Sequence, residues 1–227
     1  RFIFLVQMKA ALIGYGKTGS KVQEALGLDS DALFNSSRPP TEEALNPFDV
    51  VIVFVPGEAF LEMIPMLLST PIAVVSGATG VALPDDLDDE CITRGRAWVV
   101  AQNFSPAMHM IQEALQWIGA HSDWLADATM SLREVHHKEK RDAPSGTAKR
   151  WMEWLGTRDV QVTSQREGDE LGLHELSIET PLERLTIRHE ALDRALFAQG
   201  AIQAAEWLLE PNRKPGLYAM KDVVEGS

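Results

Sequence analysis

The chain has 227 residues, of which 45% are hydrophobic and 24% charged, and its formal net charge at pH 7 is -12. This composition allows a buried core, whereas the acidic balance argues against sequence-independent binding of nucleic acid, which needs a basic surface. The single cysteine, Cys91, excludes an internal disulfide and a multi-cysteine zinc site, and no apolar run reaches the roughly 18 residues of a membrane span.

Seven residues precede Met8 and have a faint likeness to the start of a signal peptide. They have no small-residue cleavage site and run directly into an apolar segment and a glycine loop, so we reject export. We expect Met8 to be the natural start, with residues 1–7 as an upstream extension or a lengthening of the first strand. A single cysteine suits a reducing cytoplasm, which is the predicted location.

A glycine-rich loop follows the first predicted strand, residues 10–13, and leads into a predicted helix over residues 20–26. The loop fits G-x-G-x-x-G, in which the first glycine makes a tight turn, the second lets a pyrophosphate approach the backbone, and the third packs the helix against the strand. This placement predicts dinucleotide binding, and an ordinary glycine-rich turn is the alternative. The candidate cofactor contacts here are Gly14, Gly16, Lys17, Thr18 and Gly19.

The second predicted strand, residues 32–35, ends at Ser36, Ser37 and Arg38. Folds that prefer NAD usually place Asp or Glu at this point for the ribose hydroxyls. Two small hydroxyl side chains and a cation suit a 2'-phosphate instead, so these three residues are candidate cofactor contacts that favour NADPH over NADH. The alternative is that they form a loop without a ligand.

Further apolar strands are predicted at residues 49–55, 71–75 and 98–101, with a helix at residues 59–68. Strands that alternate with helices predict a doubly wound parallel sheet. Ligands of such sheets lie beyond the carboxyl ends of the strands. We therefore expect the loops that contain Gly14, Ser36, Gly77 and Gln102 to line one crevice.

A basic segment, residues 133–150, carries six Lys or Arg against three Asp or Glu in this acidic chain. His136 and Lys140 are four residues apart, and Ser145, Gly146 and Thr147 begin a predicted helix. Helix starts bind carboxylates and phosphates through unpaired N–H groups. The segment therefore predicts a site that binds a carboxylate and donates a proton. The alternative is a solvated basic turn in which Ser145 or Thr147 acts only as a helix cap.

The rest of the chain predicts a second, mixed arrangement of helices and strands. A helix is expected at residues 109–117 and a strand at residues 127–135, and alternating patterns over residues 160–189 indicate antiparallel or mixed strands. A last helix is expected at residues 195–209. Residues 211–216 are expected to form a turn before a short tail.

These segments together resemble the 4-hydroxy-tetrahydrodipicolinate reductase family, formerly called dihydrodipicolinate reductase. Residues 134–148 read E-V-H-H-K-E-K-R-D-A-P-S-G-T-A, which is similar to the family's E-x-H-H-x-x-K-x-D-A-P-S-G-T-A. Residues 76–80 and 102–105, the loop at 166–174 and the region around His189 add to the resemblance, which covers residues 8–224.

The resemblance implies an α/β fold, with a Rossmann-type doubly wound parallel sheet and an inserted α+β substrate domain built on a mixed sheet. The dinucleotide-binding domain would span residues 8–105, completed by a C-terminal helix within 194–227, and the substrate-binding and oligomerisation domain would span 106–193. It also implies a homotetramer and the NADPH- or NADH-dependent reduction of (2S,4S)-4-hydroxy-2,3,4,5-tetrahydrodipicolinate, a small dicarboxylate, in the diaminopimelate route to lysine.

Carried over residue by residue, the resemblance makes His136 and Lys140 the proton-donating pair. The implied substrate contacts are His137, Lys140, Ser145, Gly146 and Thr147. The implied cofactor contacts beyond the first two loops are Gly77, Ala78, Thr79, Ala101, Gln102, Asn103 and Phe104. Ala78 stands where the family has threonine and Gln102 where it has proline, so the surroundings of the nicotinamide differ from the family pattern.

Three other functions compete with this interpretation. The first is another Rossmann-type dehydrogenase, of the amino-acid or aspartate-semialdehyde type; Cys91 lies outside any nucleophile motif, which disfavours a cysteine-nucleophile mechanism. A non-catalytic dinucleotide-binding regulator would not need the basic segment. A metal hydrolase could be built on His136–His137 or on His189–Glu190, but adjacent histidines point in different directions and H-E-x-x-H is missing. No metal site is predicted.

Overall fold

The structure is a computed structural model that describes residues 8–125, 127–156 and 159–226. The predicted lengthening of the first strand by residues 1–7 lies outside these residues. The chain divides into two compact units. The first unit contains the residues up to Pro106 and those from Arg194 onward, and the second unit contains Ala107–Asp193. No helix within the described residues has the length and apolar character that a membrane crossing requires.

The first unit contains a six-stranded sheet whose paired strands are all parallel, in the order β10-β5-β4-β3-β1-β2. The order reverses at β1, which is the feature of a doubly wound sheet that creates a ligand crevice. This confirms the predicted fold class. The strands are β1 (Ala10–Ile13), β2 (Leu33–Phe34), β3 (Val50–Val53), β4 (Ala73–Ser76), β5 (Ala97–Val100) and β10 (Gly216–Tyr218).

Helices cover both faces of this sheet. Because successive residues of a strand point to opposite faces, Ala10 and Leu12 pack into one core while Ala11 and Ile13 pack into the other. Continuous burial explains the unbroken apolar pattern of β1 and β3, which is typical of parallel strands. The helices are α1 (Gly19–Leu26), α2 (Glu42–Leu45), α3 (Gly57–Ser69), α4 (Leu87–Arg94), α7 (Ala195–Leu208) and α8 (Met220–Glu225).

The C-terminal segment is more ordered than the sequence predicts. We expected a turn and a short tail after residue 210, but β10 joins the sheet beside β5, and α8 follows it. The N–H of Gly216 donates to the Arg96 carbonyl at 2.8 Å, and the N–H of Leu217 donates to the Asp88 carboxylate at 2.7 Å. A three-residue strand has no readable period, so these distant partners decide its conformation.

The second unit is a four-stranded mixed sheet packed on two helices. The strand order is β7-β6-β8-β9, in which β6 and β7 are parallel and the other pairs antiparallel. Met108 of α5 and Trp151 of α6 are buried in the core, and the Trp151 indole N–H lies 3.2 Å from the Met108 sulfur. The elements are α5 (Pro106–Ala120), β6 (Thr129–His136), α6 (Gly146–Leu155), β7 (Val160–Arg166), β8 (Leu173–Glu179) and β9 (Arg184–Glu190).

Candidate active site

The basic turn, which we define as residues 137–144, joins the end of β6 to the start of α6 in the second unit. Ser145 is the N-cap of α6, and its hydroxyl accepts a hydrogen bond from the Ala148 N–H at 3.2 Å. Gly146 is exposed, and no heavy atom lies within 4 Å of the place where a side chain would begin. The N–H of Gly146 hydrogen-bonds the Asp142 carboxylate and helps to lower the pKa of that group. The helix start therefore holds a carboxylate of the chain itself, whereas the buried Ser145 side chain acts as a cap.

His136, the last residue of β6, is 7% exposed and lies against a buried carboxylate. Its Nδ1 is 2.6 Å from Oε2 of Glu134, which is two residues earlier on the same face of the strand. The ring N–H does not point straight at this oxygen, so the contact has ion-pair distance without ideal hydrogen-bond geometry. The alternation of β6 thus brings both side chains into the interior.

Glu134 is fully buried and is the centre of this site. Its Oε1 accepts hydrogen bonds from Nη2 of Arg166 at 3.0 Å and from the Ser145 N–H at 3.2 Å. Burial raises the pKa of Glu134, but hydrogen bonds from Ser164, Arg166 and Ser145 together lower it by more than burial raises it. The pKa of Glu134 therefore lies below its ordinary value. The carboxylate is therefore ionised at neutral pH.

Burial gives His136 a pKa below its ordinary value, and Glu134 only partly offsets this effect. The positive charges of Lys140 and Arg166 lower the pKa of His136 further. The imidazole is consequently neutral at pH 7 in the ligand-free protein. An anionic ligand near the ring would favour the charged form and raise this pKa.

His174 of β8 lies beside His136, with the ring centroids 5.1 Å apart at an interplanar angle of 72°. Its Nε2 is 3.1 Å from the Ser145 hydroxyl. Burial, the neighbouring His136 and other charges lower the pKa of His174 to about 3. Neutral His174 therefore joins the proton-donating candidate to the cap of α6.

Lys140 and Asp142 form an ion pair in the basic turn, with Nζ 2.8 Å from Oδ1. This hydrogen bond from Lys140 lowers the pKa of Asp142. Arg166 holds the same turn from β7, because its guanidinium donates to the Lys140 carbonyl at 3.2 Å and to the Asp142 carbonyl. His137 is half-buried, and its N–H donates to the Glu170 carbonyl at 2.7 Å.

The two buried histidines give a prediction for acid stability. Both folded-state pKa values lie below 6.5, so the unfolded chain binds more protons than the folded chain once the pH falls below that value. We expect the free energy of unfolding to fall as the pH drops below 6.5, by about 1 kcal/mol per pH unit from His174, whose folded-state pKa is about 3, with a further decrease from His136. Urea unfolding at pH 7, 6 and 5 measures this slope, and His174→Gln should reduce it; a flat profile in this range would contradict the prediction.

The glycine loop of the first unit has the geometry that its motif predicts. Gly14 has a φ of +95°, and a Cβ there would lie 2.2 Å from the Phe54 carbonyl oxygen. A Cβ at Gly19 would lie 2.0 Å from the Gly14 carbonyl oxygen, so this glycine allows α1 to approach the loop closely. Gly16 has no heavy atom within 4 Å of its Cβ position and faces open space.

A cavity of about 620 Å³ opens at the carboxyl ends of β1, β2 and β3. Gly14, Gly16 and Ser36 line it, and Pro39, Pro40, Met63 and Met66 are among its apolar walls. Phe54, which the sequence reasoning did not single out, also lines the cavity. Its ring packs where a Gly77 side chain would lie and meets the Phe104 ring edge-on at 5.9 Å. The sequence signal that could have identified Phe54 is its position as an aromatic residue directly after β3.

The sequence predicts that the loops of Gly14, Ser36, Gly77 and Gln102 line one crevice; Gly14 and Ser36 line this cavity, whereas Gly77 and Gln102 are not among its lining residues. Lys17, Ser36, Ser37 and Arg38 are exposed, and Thr18 is the N-cap of α1. The Arg38 guanidinium donates to the Ser30 carbonyl and lies 5.0 Å from the centre of the Phe34 ring. Ala78, Ala101 and Phe104 are buried, Gly77 and Asn103 are half-buried, and Thr79 and Gln102 are exposed.

The alternative of a metal hydrolase rested on His136–His137 or on His189–Glu190, and neither pair forms the one group of possible metal ligands within the described ranges. Glu134, His136 and His174 offer ligand atoms within 4.8 Å of one another, and this set includes neither His137 nor His189. Arg166 lies 3.0 Å from Glu134 and supplies a positive charge to the same carboxylate. The geometry therefore fits a buried network of hydrogen-bonding groups, in which the Arg166 guanidinium supplies the positive charge that the Glu134 carboxylate needs.

Comparisons with known proteins point to one family. The family model described as dihydrodipicolinate reductase, C-terminus, matches residues 108–224. A 4-hydroxy-tetrahydrodipicolinate reductase of Christiangramia forsetii is 31% identical over 241 residues, covering 96% of this chain and 98% of the relative. The 4-hydroxy-tetrahydrodipicolinate reductase of Bdellovibrio bacteriovorus is 32% identical over 182 residues, which cover 78% of this chain and 77% of the relative. The solved structure of a dipicolinate-bound dihydrodipicolinate reductase from a Paenisporosarcina species has the same fold, with a TM-score of 0.70 at 17% identity, and covers 93% of this chain and 97% of its own.

Proposed function

The chain belongs to the 4-hydroxy-tetrahydrodipicolinate reductase family and is an oxidoreductase, and we propose how its residues perform the reaction. The substrate is (2S,4S)-4-hydroxy-2,3,4,5-tetrahydrodipicolinate, in the diaminopimelate route to lysine. One NADPH or NADH and one proton are consumed, and tetrahydrodipicolinate, the oxidised cofactor and one water are formed.

The observation that carries this proposal is the pairing of the α6 helix start with a basic turn, where the Asp142 carboxylate of the ligand-free chain lies against both. The N–H of exposed Gly146 interacts with the Asp142 carboxylate and can exchange it for a substrate carboxylate, in the manner of anion sites at helix N-termini. Lys140 supplies an ammonium in the preceding turn and can exchange its ion pair with Asp142 for a substrate carboxylate. His137 and Thr147, both half-buried, lie near these two groups in sequence and complete the proposed substrate contacts. Ser145, the remaining predicted contact, donates its N–H to Glu134 and caps α6 with its hydroxyl, so its proposed part is to hold the helix start in place.

The proton donor is proposed to be His136, with Lys140 as the second member of the pair. Hydride delivery places negative charge on the substrate, which a nearby acid must neutralise. His136 is neutral in the free protein because of its lowered pKa, but a bound dianion favours its protonated form. The substrate thus raises the pKa of its own donor, and proton transfer restores the neutral ring.

The first unit is proposed to hold the cofactor, which supplies a hydride when bound. Open space at Gly16 allows a pyrophosphate to approach the backbone, and the apolar walls of the 620 Å³ cavity suit an adenine ring. Lys17, Thr18 and Gly19 complete the phosphate loop, and Gly77, Ala78 and Thr79 with Ala101, Gln102, Asn103 and Phe104 form the proposed nicotinamide loops.

We expect Arg38→Asp to lower the ratio of kcat/KM for NADPH to kcat/KM for NADH by at least about tenfold, because a carboxylate would repel the 2'-phosphate. The ratio is a fair measure even if the variant is less stable, since the fraction of folded enzyme cancels. This matters because Arg38 also donates to the Ser30 carbonyl. Arg94→Asp is the control, because it makes the same charge change at an exposed residue of α4 that pairs with Glu90 and does not line the cavity. An unchanged ratio in Arg38→Asp would refute the assignment.

A homotetramer in the cytoplasm is the proposed state of the enzyme. The family resemblance implies assembly through the sheets of the second unit, and exposed Thr129, Ser131 and Arg133 show that β6 has one uncovered face within this chain. Light scattering should then give four times the 25.1 kDa mass of the chain. A monomeric mass at micromolar concentration would contradict the proposed tetramer, but it would not bear on the proposed reaction.

A coupled assay tests the reaction directly. The product of 4-hydroxy-tetrahydrodipicolinate synthase is supplied, and the loss of NADPH or NADH absorbance is followed with each cofactor. We expect cofactor oxidation that depends on the synthase product. Cofactor binding without oxidation would instead favour a dinucleotide-binding regulator, and turnover only with amino acids would favour another dehydrogenase of the same fold.

A further inference from the structure

Glu134 joins two elements of the site through its two oxygens. Oε2 lies 2.6 Å from Nδ1 of His136, while Oε1 accepts hydrogen bonds from Arg166 at 3.0 Å and from the N–H of Ser145 at 3.2 Å. A fully buried carboxylate is costly unless such partners compensate it. One carboxylate therefore contacts both the proton donor and the residue that begins the anion-binding helix.

We propose that Glu134 is a positioning residue, which holds His136 with its hydrogen on Nδ1 and leaves Nε2 to exchange a proton with the substrate. This inference rests on the proposed function of His136. A bare Nδ1 lone pair would face the Glu134 oxygen at 2.6 Å and be repelled by it, so the carboxylate favours the Nδ1–H tautomer even without ideal alignment. Catalytic hydrogen bonds often tighten only when the substrate binds.

The surroundings of Nε2 support this orientation. A Cβ at Gly172 would lie 3.0 Å from Nε2 of His136, so the absence of a side chain keeps that edge of the ring clear. His174 on β8 meets the ring edge-on, and its own Nε2 is engaged with the Ser145 hydroxyl at 3.1 Å. Nε2 of His136 is thus the ring nitrogen that lies away from Glu134.

The charged and titratable groups around His136 come from four segments. Glu134 is on its own strand, Arg166 is on β7, His174 is on β8, and Lys140 is in the basic turn. Of these, Glu134 alone carries negative charge and raises the pKa of His136, whereas Lys140 and Arg166 lower it. Removal of the Glu134 charge should therefore move the titration of His136 to lower pH.

Glu134→Gln tests the proposal because it keeps the size of the side chain and an oxygen that can accept from Arg166 and Ser145. We expect kcat to fall by about 100-fold and KM to change by less than about threefold. The limb of the pH profile that reports the proton donor should move to lower pH by about one unit. Glu179→Gln is the matched control in the same sheet, since Glu179 forms an exposed ion pair with Arg184 and should give unchanged kinetics.

The tautomer provides a readout that is independent of turnover. In protein labelled with ¹⁵N-histidine, we expect His136 of the ligand-free protein to carry its hydrogen on Nδ1, with assignment by comparison with His136→Gln. The hydrogen should move to Nε2 in Glu134→Gln. If this variant fails to fold, as thermal unfolding would reveal, the wild-type spectrum decides, and hydrogen on Nε2 there overturns the proposal.

Two further outcomes are informative. Stoichiometric Zn²⁺ in the purified protein, or His136 and His174 signals that shift with one equivalent of added Zn²⁺, would overturn the proposal in favour of a metal site at Glu134, His136 and His174. A wild-type protein that shows the Nδ1–H tautomer but does not reduce the synthase product would support the positioning role and contradict the proposed substrate.

Discussion

Lys140→Ala is expected to lower kcat by about 1,000-fold, because it removes both a carboxylate partner and one member of the proton-donating pair. The basic turn should keep its conformation in this variant, since Arg166 holds it through the backbone carbonyls of Lys140 and Asp142. The affinity for NADPH or NADH should stay within about twofold of wild type, as measured by fluorescence titration.

Lys138→Ala is the matched control for this experiment. Lys138 lies two residues earlier in the same turn and is exposed, and its backbone N–H, which the substitution retains, donates to the Gly168 carbonyl. It removes the same charge from the chain without touching the proposed site, so we expect its kcat to stay near the wild-type value. If Lys140→Ala has the same kcat as this control, the proposed role of Lys140 in substrate binding and proton donation is wrong.

Gly14→Ala is expected to destabilise the protein by about 3 kcal/mol. The backbone at Gly14 has a φ of +95°, which costs a side-chain-bearing residue about 1–3 kcal/mol. The new Cβ would also lie 2.2 Å from the Phe54 carbonyl oxygen, so β1 and β3 must separate at the mouth of the cavity. Denaturant unfolding measures the loss, and a decrease below about 1 kcal/mol would contradict this interpretation.

Gly16→Ala separates the structural and ligand roles of the same loop. Its Cβ position has no heavy atom within 4 Å, so we expect the free energy of unfolding to change by less than about 1 kcal/mol. If the cofactor's pyrophosphate approaches the backbone here, the added methyl group should raise the KM for NADPH or NADH by at least about tenfold. An unchanged KM in the folded variant would place the pyrophosphate elsewhere.

Residues close together in the chain were enough to identify the family and the parallel sheet. Strands such as residues 10–13 and 49–55 are apolar at every position because both faces of a parallel sheet are covered, and that pattern needs no distant information to be recognised. The glycine loop and the HHxxK segment are similarly local, since the spacing of their residues is fixed by one turn and one strand end. Both were predicted from residues close together in the chain.

The groups that surround His136 could not be identified without the pairing of the strands. Arg166 lies 30 residues after His136 in sequence, but the parallel pairing of β6 and β7 places the two residues opposite each other, and the antiparallel pairing of β6 and β8 places His174 opposite Glu134. Strand register depends on packing across the whole sheet, and a shift of one residue would turn these side chains to the other face. The buried carboxylate and its partners therefore became visible only once β6, β7 and β8 were aligned.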